Sequence, residues 1–325
     1  MRTPRRAPRL PGLTCVQPIG SGGYADVFLY VQNGSRRPMA VKVLRDGQSA
    51  PAVRRFADEA QAMARLGGHR HVVQLLGSGA CGDGRPFLVM EYCPPPNLAL
   101  RSGRQPFTVP EVLRTGIQLA GAVEAAHRAG VVHRDIKPAN VLVTRSGVLV
   151  LADWGAAGRL GLAAGPQDDV EISVPWAAPE LLSAESDGTV SSDVYSLAAT
   201  LWSLLVGRSP FALPGGDNSA YALSDRVLSL PAPPTGRDDV PRALERLLAH
   251  ALDKNPVARP STASELAHRL QRVGGSKQLP SRALAAPLSG GTSIAAAPPT
   301  PLVDTSLSRL ASVAAVGASA PVVGG

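Results

Sequence analysis

The chain has 325 residues, of which 44% are hydrophobic and 18% are charged, so it can bury a sizeable core and is too apolar for a mostly disordered protein. Its three cysteines are too few and too scattered for a disulfide framework or a zinc site. The formal net charge of +8 would suit a nucleic-acid or membrane partner, but we favour a compositional bias with a basic terminal segment as its origin, because no motif supports such a partner. With no signal peptide and no apolar run long enough to span a membrane, we expect a cytoplasmic protein.

In chain order, the pattern predicts strands first and helices later. Residues 1–12 have the composition of a disordered basic leader, and the stretch from 14 to 91 is rich in strand-like runs. The predicted strands there are 27–31, 39–44 and 87–90, with one helix over 53–66. After three prolines at 94–96, helices are predicted over 110–129, 191–205, 241–252 and 263–273, with short strands at 141–143 and 148–151. Residues 274–325 have the composition of a flexible Ala/Ser/Gly/Pro-rich tail.

A glycine-rich stretch lies between two strand-like runs and reads GSGGYADV at residues 20–27. Glycine lets a backbone approach phosphate groups closely and turn its N–H groups toward them. A dinucleotide-binding turn would lead straight into a helix, whereas strand-type residues follow here. The pattern favours a loop folded over nucleotide phosphates, although a plain glycine-rich hairpin would look the same.

Lys42 lies in the middle of the apolar run 39–44. A buried ammonium is costly without a partner, so this lysine either faces solvent or is paired. Glu59, on the helix that follows, is the candidate partner. Such a pair would join the strand to the helix and hold a positive charge for phosphates.

The densest polar segment reads HRDIKPAN at residues 133–140, followed after a short hairpin by a D-x-G triplet that begins at Asp153. Phosphoryl transfer needs a carboxylate to orient the attacking hydroxyl, cations to hold the triphosphate and ligands for magnesium. Asp135 and Lys137 offer the carboxylate and an ammonium on one loop. Asn140 and Asp153 offer the oxygen ligands that magnesium prefers. Turn formation alone does not explain eight residues in this order.

These motifs, completed by the triplet Ala178-Pro179-Glu180, occur in the order of the protein-kinase signature set. The resemblance covers residues 13–273, and the excess of arginine with few aromatics resembles bacterial, actinobacterial-type, eukaryotic-like Ser/Thr kinases. It implies an α+β, two-lobed protein-kinase fold. A small β-rich N-lobe with one key helix would span about 13–91, and a larger, mainly helical C-lobe about 94–273.

The resemblance also implies roles for individual residues. Asp135 is the catalytic base, Lys137 touches the γ-phosphate, and Asn140 and Asp153 bind Mg²⁺, with Mn²⁺ as the alternative metal. The ATP site would be formed by Gly20, Ser21, Gly22, Gly23, Val27, Ala40, Lys42, Glu59, Met90, Glu91, Cys93 and Leu142. Lys137 with Ser173 resembles Ser/Thr kinases rather than tyrosine kinases. Asp193, the pair Glu180 with Arg259, and His133 would be structural.

Arg134 raises a question of regulation. Kinases with an arginine before the catalytic aspartate are often activated by a phosphate on the loop that precedes Glu180. Between 155 and 180 the only hydroxyl side chain is Ser173, which already has a structural place. We therefore hypothesise that the carboxylates of Asp168, Asp169 and Glu171 take the place of a phosphate beside Arg134; a solvated acidic turn is the alternative.

The implied activity is transfer of the γ-phosphoryl group of ATP to Ser/Thr hydroxyls of proteins, autophosphorylation included, by a non-specific Ser/Thr kinase in bacterial signalling. Its partners are ATP and protein substrates, with no nucleic acid and no membrane span; a homodimer stays open. Two alternatives also stay open. A small-molecule phosphotransferase shares the Asp and Asn spacing, but Glu180 and Arg259 argue against it. A pseudokinase acting as a nucleotide-binding scaffold is disfavoured because every catalytic position is filled.

Overall fold

The computed structural model describes residues 6–159 and 173–275, and the chain divides into two compact units. The first contains the described residues up to Gly67 together with Val73–Cys93, and the second contains Gly68–Val72 together with the described residues from Pro94 onward. The first is built on an antiparallel sheet and the second is mainly helical. The predicted α+β fold with a small β-rich part and a larger helical part is therefore confirmed.

The first unit is a five-stranded antiparallel sheet with one long helix. Its elements are β1 (Leu13–Ser21), β2 (Ala25–Gln32), β3 (Pro38–Leu44), α1 (Ala50–Leu66), β4 (Leu75–Ala80) and β5 (Pro86–Glu91). The strands lie in the order β1-β2-β3-β5-β4. Each strand and the helix predicted between residues 14 and 91 lies inside one of these elements.

Helix α1 begins where the sequence supplies a cap. The side chain of Ser49 accepts a hydrogen bond from the backbone N–H of Ala52, and Pro51 occupies the first turn, where no N–H is needed. Phe56 and Met63 recur at helical spacing and are fully buried. This apolar stripe fixes the rotation of the helix and, with it, the direction of the charged side chains that α1 carries.

The N-terminal segment departs from the prediction of a disordered leader over residues 1–12. Leu10 is buried in the apolar cluster that contains Phe28 and Val41, and the hydroxyl of Tyr30 donates to the carbonyl of Pro8 at 2.6 Å. The prediction is therefore wrong for residues 6–12. Leu10 and Pro8 are both buried and anchor the segment, and local composition does not reveal such anchors.

The second unit contains seven helices and two small hairpin-like sheets in the part that the structure describes. They are α2 (Leu98–Arg104), α3 (Val109–Arg128), β6 (Val131–Val132), β7 (Val141–Val143), β8 (Leu149–Leu151), β9 (Gly158–Arg159), α4 (Pro179–Leu182), α5 (Val190–Val206), α6 (Ala220–Ser229), α7 (Arg242–Ala251) and α8 (Ala263–Gly275). Strand β6 pairs with β9 and β7 with β8. Helix α3 packs against both α5 and α8, so it lies at the centre of this unit.

The two central helices have clear start signals. Thr108 and Glu111 form a reciprocal capping box at the start of α3. Thr189 caps α5, and Gly207 ends that helix in the left-handed conformation with φ 86°. Helix α5 is buried over nearly its whole length. Among residues 6–159 and 173–275, no helix combines the length and apolarity needed to cross a bilayer.

The four helices predicted after residue 94 are all present, with each end within two residues of the prediction. Helix α8 runs to Gly275, two residues beyond the expected end of the folded domain. Helices α2, α4 and α6 were not predicted. Asn97 caps α2 directly after the proline run by accepting a hydrogen bond from the N–H of Leu100 at 2.9 Å.

The sequence predicted one boundary between the two parts, near residue 92, but the two units alternate along the chain. The short segment Gly68–Val72 belongs to the second unit, because the backbone of His71 accepts a hydrogen bond from the N–H of Leu151 at 2.9 Å. The Nδ1 atom of the same histidine lies 2.7 Å from the carbonyl of Leu149. This loop therefore continues the β7–β8 hairpin, a contact that spacing along the chain does not predict.

Candidate active site

Lys42 and Glu59 form a buried ion pair in the first unit. Lys42 lies on β3 opposite Val27 of β2, and its Nζ donates to Oε1 and Oε2 of Glu59 at 2.8 and 2.7 Å. Both residues are buried, so the solvent-facing alternative for Lys42 does not hold. The Nζ atom also donates to the hydroxyl of Tyr24 at 3.2 Å. The site thus keeps a compact positive charge out of water by giving it a carboxylate and a phenol.

The glycine-rich loop connects β1 and β2, whose register pairs Gly20 with Val27 and Ser21 with Asp26. A Cβ added at Gly20 would lie 3.6 Å from the nearest atom, and one added at Gly22 would lie 3.5 Å away. Both are ordinary van der Waals separations, so the protein itself does not require glycine at these two positions. Glycine there leaves room for something outside the chain to approach the backbone, which fits phosphate groups.

Two of the predicted adenine-side residues lie on neighbouring interior strands of the same sheet. Ala40 on β3 is the register partner of Met90 on β5, and the chain then leaves the strand through Glu91 toward Cys93. The backbone N–H of Cys93 makes no hydrogen bond to another described residue. Burial raises the pKa of its thiol to about 12, so the side chain is a neutral group. Leu142 lies on β7 in the second unit, opposite Val150.

Asp135 is held from one side only. Its Oδ2 atom accepts hydrogen bonds from Nζ of Lys137 at 2.7 Å and from Nδ2 of Asn140 at 3.0 Å. Its Oδ1 atom is buried and accepts no hydrogen bond from the residues that the structure describes. A buried carboxylate oxygen normally has a partner. The arrangement therefore presents one oriented acceptor that is ready for a donor from outside the chain.

Lys137 links this carboxylate to Ser173. Its Nζ atom donates to the Ser173 hydroxyl at 2.7 Å as well as to Asp135. The side chain of Lys137 keeps about a fifth of its surface exposed, so it can also meet a ligand. The structure thus brings Ser173 next to a lysine that lies 36 residues earlier in the chain.

Asn140 and Asp153 offer a small set of oxygen ligands. The amide nitrogen of Asn140 is used by Asp135, which turns its carbonyl oxygen the other way. Asp153 is exposed and has a positive φ of 63°, a strained backbone conformation that functional residues often adopt. Among the described residues, no cluster of three or more His, Cys, Asp or Glu could bind a metal by itself. Two oxygen ligands fit magnesium, which usually keeps waters and phosphate oxygens in its shell.

Asp193 braces the loop that carries Asp135. Its carboxylate accepts hydrogen bonds from the backbone N–H groups of His133 and Arg134 at 2.8 and 2.9 Å, and its Oδ2 lies 2.8 Å from Nε2 of His127. Burial alone would raise the pKa of Asp193, but the hydrogen bond from His127 and the other polar contacts lower it below its ordinary value. His133 is fully buried against the Trp154 ring, with centroids 4.5 Å apart. It occupies a packing position, as the sequence predicted.

Glu180 and Arg259 form a second buried ion pair. The guanidinium donates to Oε1 and Oε2 of Glu180 at 2.7 and 2.8 Å, and its Nε donates to the carbonyl of Asp253 at 2.7 Å. The Arg259 side chain is fully buried. This bidentate pair joins the start of α4 to the segment before α8.

Comparison with known proteins agrees with this geometry. A family model described as protein kinase domain matches residues 13–270. The chain belongs to the protein kinase family. It is 37% identical over 263 residues to the serine/threonine-protein kinase PknK of Mycobacterium tuberculosis, covering 81% of this chain and 24% of that protein. It is 33% identical over 279 residues to PknL of the same species, covering 83% and 67%, and 32% identical over 268 residues to a probable serine/threonine-protein kinase of Clostridium perfringens, covering 79% and 38%.

These relatives place this kinase among the bacterial eukaryotic-like Ser/Thr protein kinases, as the sequence predicted. The matched region spans about a quarter of the length of PknK. The rest of PknK is not matched by this chain.

Arg134 of this kinase lies in a narrow slot. It has a positive φ of 67°, and its guanidinium packs against Gly158, where an added Cβ would overlap it. Gly188 faces the aliphatic part of the same side chain, and a Cβ there would lie 2.8 Å from Cγ and Nε. Two glycines are thus required to seat this arginine. The carboxylates of Asp168, Asp169 and Glu171, predicted to pair with it, lie outside the described residues.

Three residues close to the site were not predicted. Asp26 and Arg45 form a buried ion pair beside the glycine-rich loop, and Tyr24 contacts Lys42. The sequence signal for the first two was weak: opposite charges at the facing ends of two neighbouring strands. The contact between Asp26 and Arg45 depends on the β2–β3 register. That register pairs Asp26 with Val43 and so places Arg45 beside the loop.

Proposed function

We propose that this chain transfers the γ-phosphoryl group of ATP to Ser or Thr hydroxyls of proteins, including its own. The observation that carries the proposal is the Asp135 carboxylate: one oxygen is fixed by Lys137 and Asn140, and the other is buried and accepts no hydrogen bond from the described residues. A substrate hydroxyl that donates to this oxygen would be oriented for attack on the γ-phosphorus. As the new P–O bond forms, the bond from that phosphorus to the oxygen it shares with the β-phosphate breaks, ADP leaves, and the hydroxyl proton passes to the carboxylate.

The nucleotide would be held by charges and backbone N–H groups. The buried ammonium of Lys42, kept in place by Glu59, is available for the α- and β-phosphates. The glycine positions of the loop allow close approach of phosphate oxygens. The adenine edge would be recognised by the backbone at Glu91 to Cys93, in the same unit as Val27, Ala40 and Met90.

Asn140 and Asp153 would hold a magnesium ion. That ion, when bound, supplies positive charge to the triphosphate oxygens. Lys137 would add a further cation at the γ-phosphate, since it already lies 2.7 Å from the Asp135 carboxylate. Its link to Ser173 supports a Ser/Thr substrate class.

We also propose that Arg134 is paired with the carboxylates of Asp168, Asp169 and Glu171, so that activity needs no phosphate on that loop. The support is the slot formed by Gly158 and Gly188, which seats the guanidinium in one place. All three cysteines are free thiols, which supports a reducing compartment such as the cytoplasm as the site of action.

The experiment is a transfer assay with γ-labelled ATP and magnesium, run on the whole chain and on Asp135→Asn. We expect label on Ser or Thr of the chain and of a generic protein substrate, and loss of at least about a thousandfold in Asp135→Asn. ATP binding without transfer in the unaltered protein would favour a pseudokinase scaffold. Transfer to a small molecule but to no protein would favour a small-molecule phosphotransferase.

A matched control is Asp225→Asn, because Asp225 is an exposed carboxylate on α6. It loses one negative charge as Asp135→Asn does, and it should transfer phosphate at the rate of the unaltered protein. An equal loss in both variants would contradict the role of Asp135.

A further inference from the structure

Three side chains close the glycine-rich loop into a hydrogen-bonded ring. The Nη2 atom of Arg45 donates to Oδ1 of Asp26 at 2.6 Å and to the hydroxyl of Ser21 at 2.5 Å. That hydroxyl in turn donates to Oδ1 of Asp26 at 2.9 Å. Ser21 and Asp26 are register partners at the two positions where the chain leaves β1 and enters β2. One guanidinium therefore joins both arms of the loop.

Arg45 also holds the backbone at the tip of the loop. Its N–H donates to the carbonyl of Tyr24 at 2.9 Å, and its Nη1 reaches the carbonyl of Gly23 at 3.5 Å. The N–H of Gly22 donates to the carbonyl of Ala25 at 2.9 Å and closes the turn. The loop is thus held at its tip as well as at both arms.

The ion pair inside this ring is shielded from water. Asp26 is 2% exposed and Arg45 is 7% exposed, whereas the other acid–base pair near this end of the sheet, Asp83 with Arg85, has a half-exposed carboxylate. A buried ion pair is rarely more stabilising than apolar side chains of the same size. What it does give is a defined geometry, because the short hydrogen bonds from Nη2 of Arg45 fix the positions of Asp26 and Ser21.

We infer that Asp26 and Arg45 are positioning residues that hold the glycine-rich loop in shape before the nucleotide arrives. The inference rests on the proposed ATP-binding role of that loop. Three glycines within residues 20–23 give the backbone a large conformational freedom, and losing it on binding would weaken the affinity for ATP. A clamp on both arms and the tip removes much of that freedom in the free protein.

The first test is the kinetics of Asp26→Asn, which keeps the shape of the side chain and removes its charge. We expect the KM for ATP to rise about tenfold while kcat stays within about threefold, because the loop loses its preset shape and the reacting groups are untouched. Arg45→Lys keeps the charge but has one donor group in place of the fork, so it should show a smaller rise. An unchanged KM for ATP in both variants would overturn the inference.

The double variant Asp26→Asn/Arg45→Gln separates a clamp from two independent effects. If the pair acts as a unit, the KM for ATP of the double variant should match that of the worse of the two single variants, Asp26→Asn and Arg45→Gln. It should not reach the product of their two effects. The matched control is Asp83→Asn, the same chemical change at the half-exposed carboxylate that pairs with Arg85. A similar rise in KM for ATP in this control would contradict a specific role of the Asp26–Arg45 pair. So would a double variant in which the two single effects on KM multiply.

Hydrogen exchange measured without nucleotide tests the clamp independently of the proposed function. The N–H groups of Gly22 and Arg45 are hydrogen-bonded within the loop, so their hydrogen exchange should be about tenfold faster in Asp26→Asn and unchanged in Asp83→Asn. Unaltered exchange in a folded Asp26→Asn protein would overturn the clamp even if ATP is the substrate. Faster exchange in a protein that transfers no phosphate would support the clamp while the proposed function fails.

Discussion

The Nζ atom of Lys42 lies 2.8 and 2.7 Å from the two carboxylate oxygens of Glu59, and both residues are buried in the first unit. The pair joins the middle of β3 to the buried face of α1. It holds the ammonium where water cannot compete for it, so the charge is available to a ligand only as long as Glu59 keeps it in place.

Glu59→Gln should therefore impair phosphoryl transfer without removing any group that touches the transferred phosphate. We expect kcat/KM for ATP to fall on the order of tenfold to a hundredfold, because the ammonium loses its charged partner and its position. Steady-state transfer assays with varied ATP measure this. The control is Asp58→Asn, a neighbouring exposed carboxylate on the same helix; equal losses in the two variants would contradict a specific role for Glu59.

The parts of this site that could be predicted are those written in short, contiguous patterns. The segment 133–140 places its catalytic groups on one loop whatever the surrounding fold, and the helical periodicity of α1 and α5 follows from burial of one face or of the whole helix. The pairing of Lys42 could be predicted because a charged side chain in the middle of an apolar strand is costly to bury without a partner.

The parts that could not be predicted depend on contacts between distant segments. The clamp of Asp26 with Arg45 requires the β2–β3 register, and two charges in sequence do not specify it. Leu10 anchors the N-terminal segment because a gap in the cluster around Phe28 accepts it. Helix α6 was missed because half of its residues are exposed and only Leu223 and Val227 are buried.

Ser173 should matter through Lys137 rather than through the substrate. Ser173→Ala removes the hydroxyl that accepts from Nζ of Lys137 at 2.7 Å, so we expect kcat to fall about tenfold as the ammonium loses one of its two fixed partners. Ser173→Thr retains the hydroxyl and should retain most of the rate. The control Ser183→Ala changes an exposed serine nearby. Full activity of Ser173→Ala would contradict this positioning role.

The pair Glu180 with Arg259 should dominate the stability of its part of the second unit. Arg259→Gln leaves the carboxylate of Glu180 buried without its partner, so we expect the free energy of unfolding to fall by about 3–5 kcal/mol. Arg128→Gln breaks a pair whose arginine is 75% exposed and should cost less than about 1 kcal/mol. Urea unfolding of both variants measures the difference, and equal costs would contradict the assignment of a buried structural pair.

Asp193 should make stability depend on pH in the acid range. Its pKa in the folded protein is lowered, so its contribution is fully present above the unfolded pKa, about 3.9. That contribution is lost as the pH falls through the lower folded value. The difference in free energy of unfolding between the unaltered protein and Asp193→Asn should therefore be largest near pH 6–7 and shrink below about pH 4. Urea unfolding from pH 3 to 7 measures it, with Asp225→Asn as the exposed control; a difference that grows in acid would contradict the assignment.

Arg134 offers a test of activation without loop phosphorylation. Gly158→Ala puts a methyl group where the guanidinium now packs, so the arginine must leave its slot, and we expect kcat to fall at least about tenfold. Gly121→Ala is the matched control, since a Cβ at this exposed position on α3 meets nothing within 4 Å. Neutralising Asp168, Asp169 and Glu171 together should lower activity to a similar extent.

The combination of these changes decides whether the carboxylates act through Arg134. If they do, the triple neutralisation should cause little further loss in the Gly158→Ala background, because the partner has already been displaced. A full rate in the triple variant alone would contradict the proposal that carboxylates replace a phosphate. Losses that multiply in the combined variant would show that the acidic residues act on another part of the molecule.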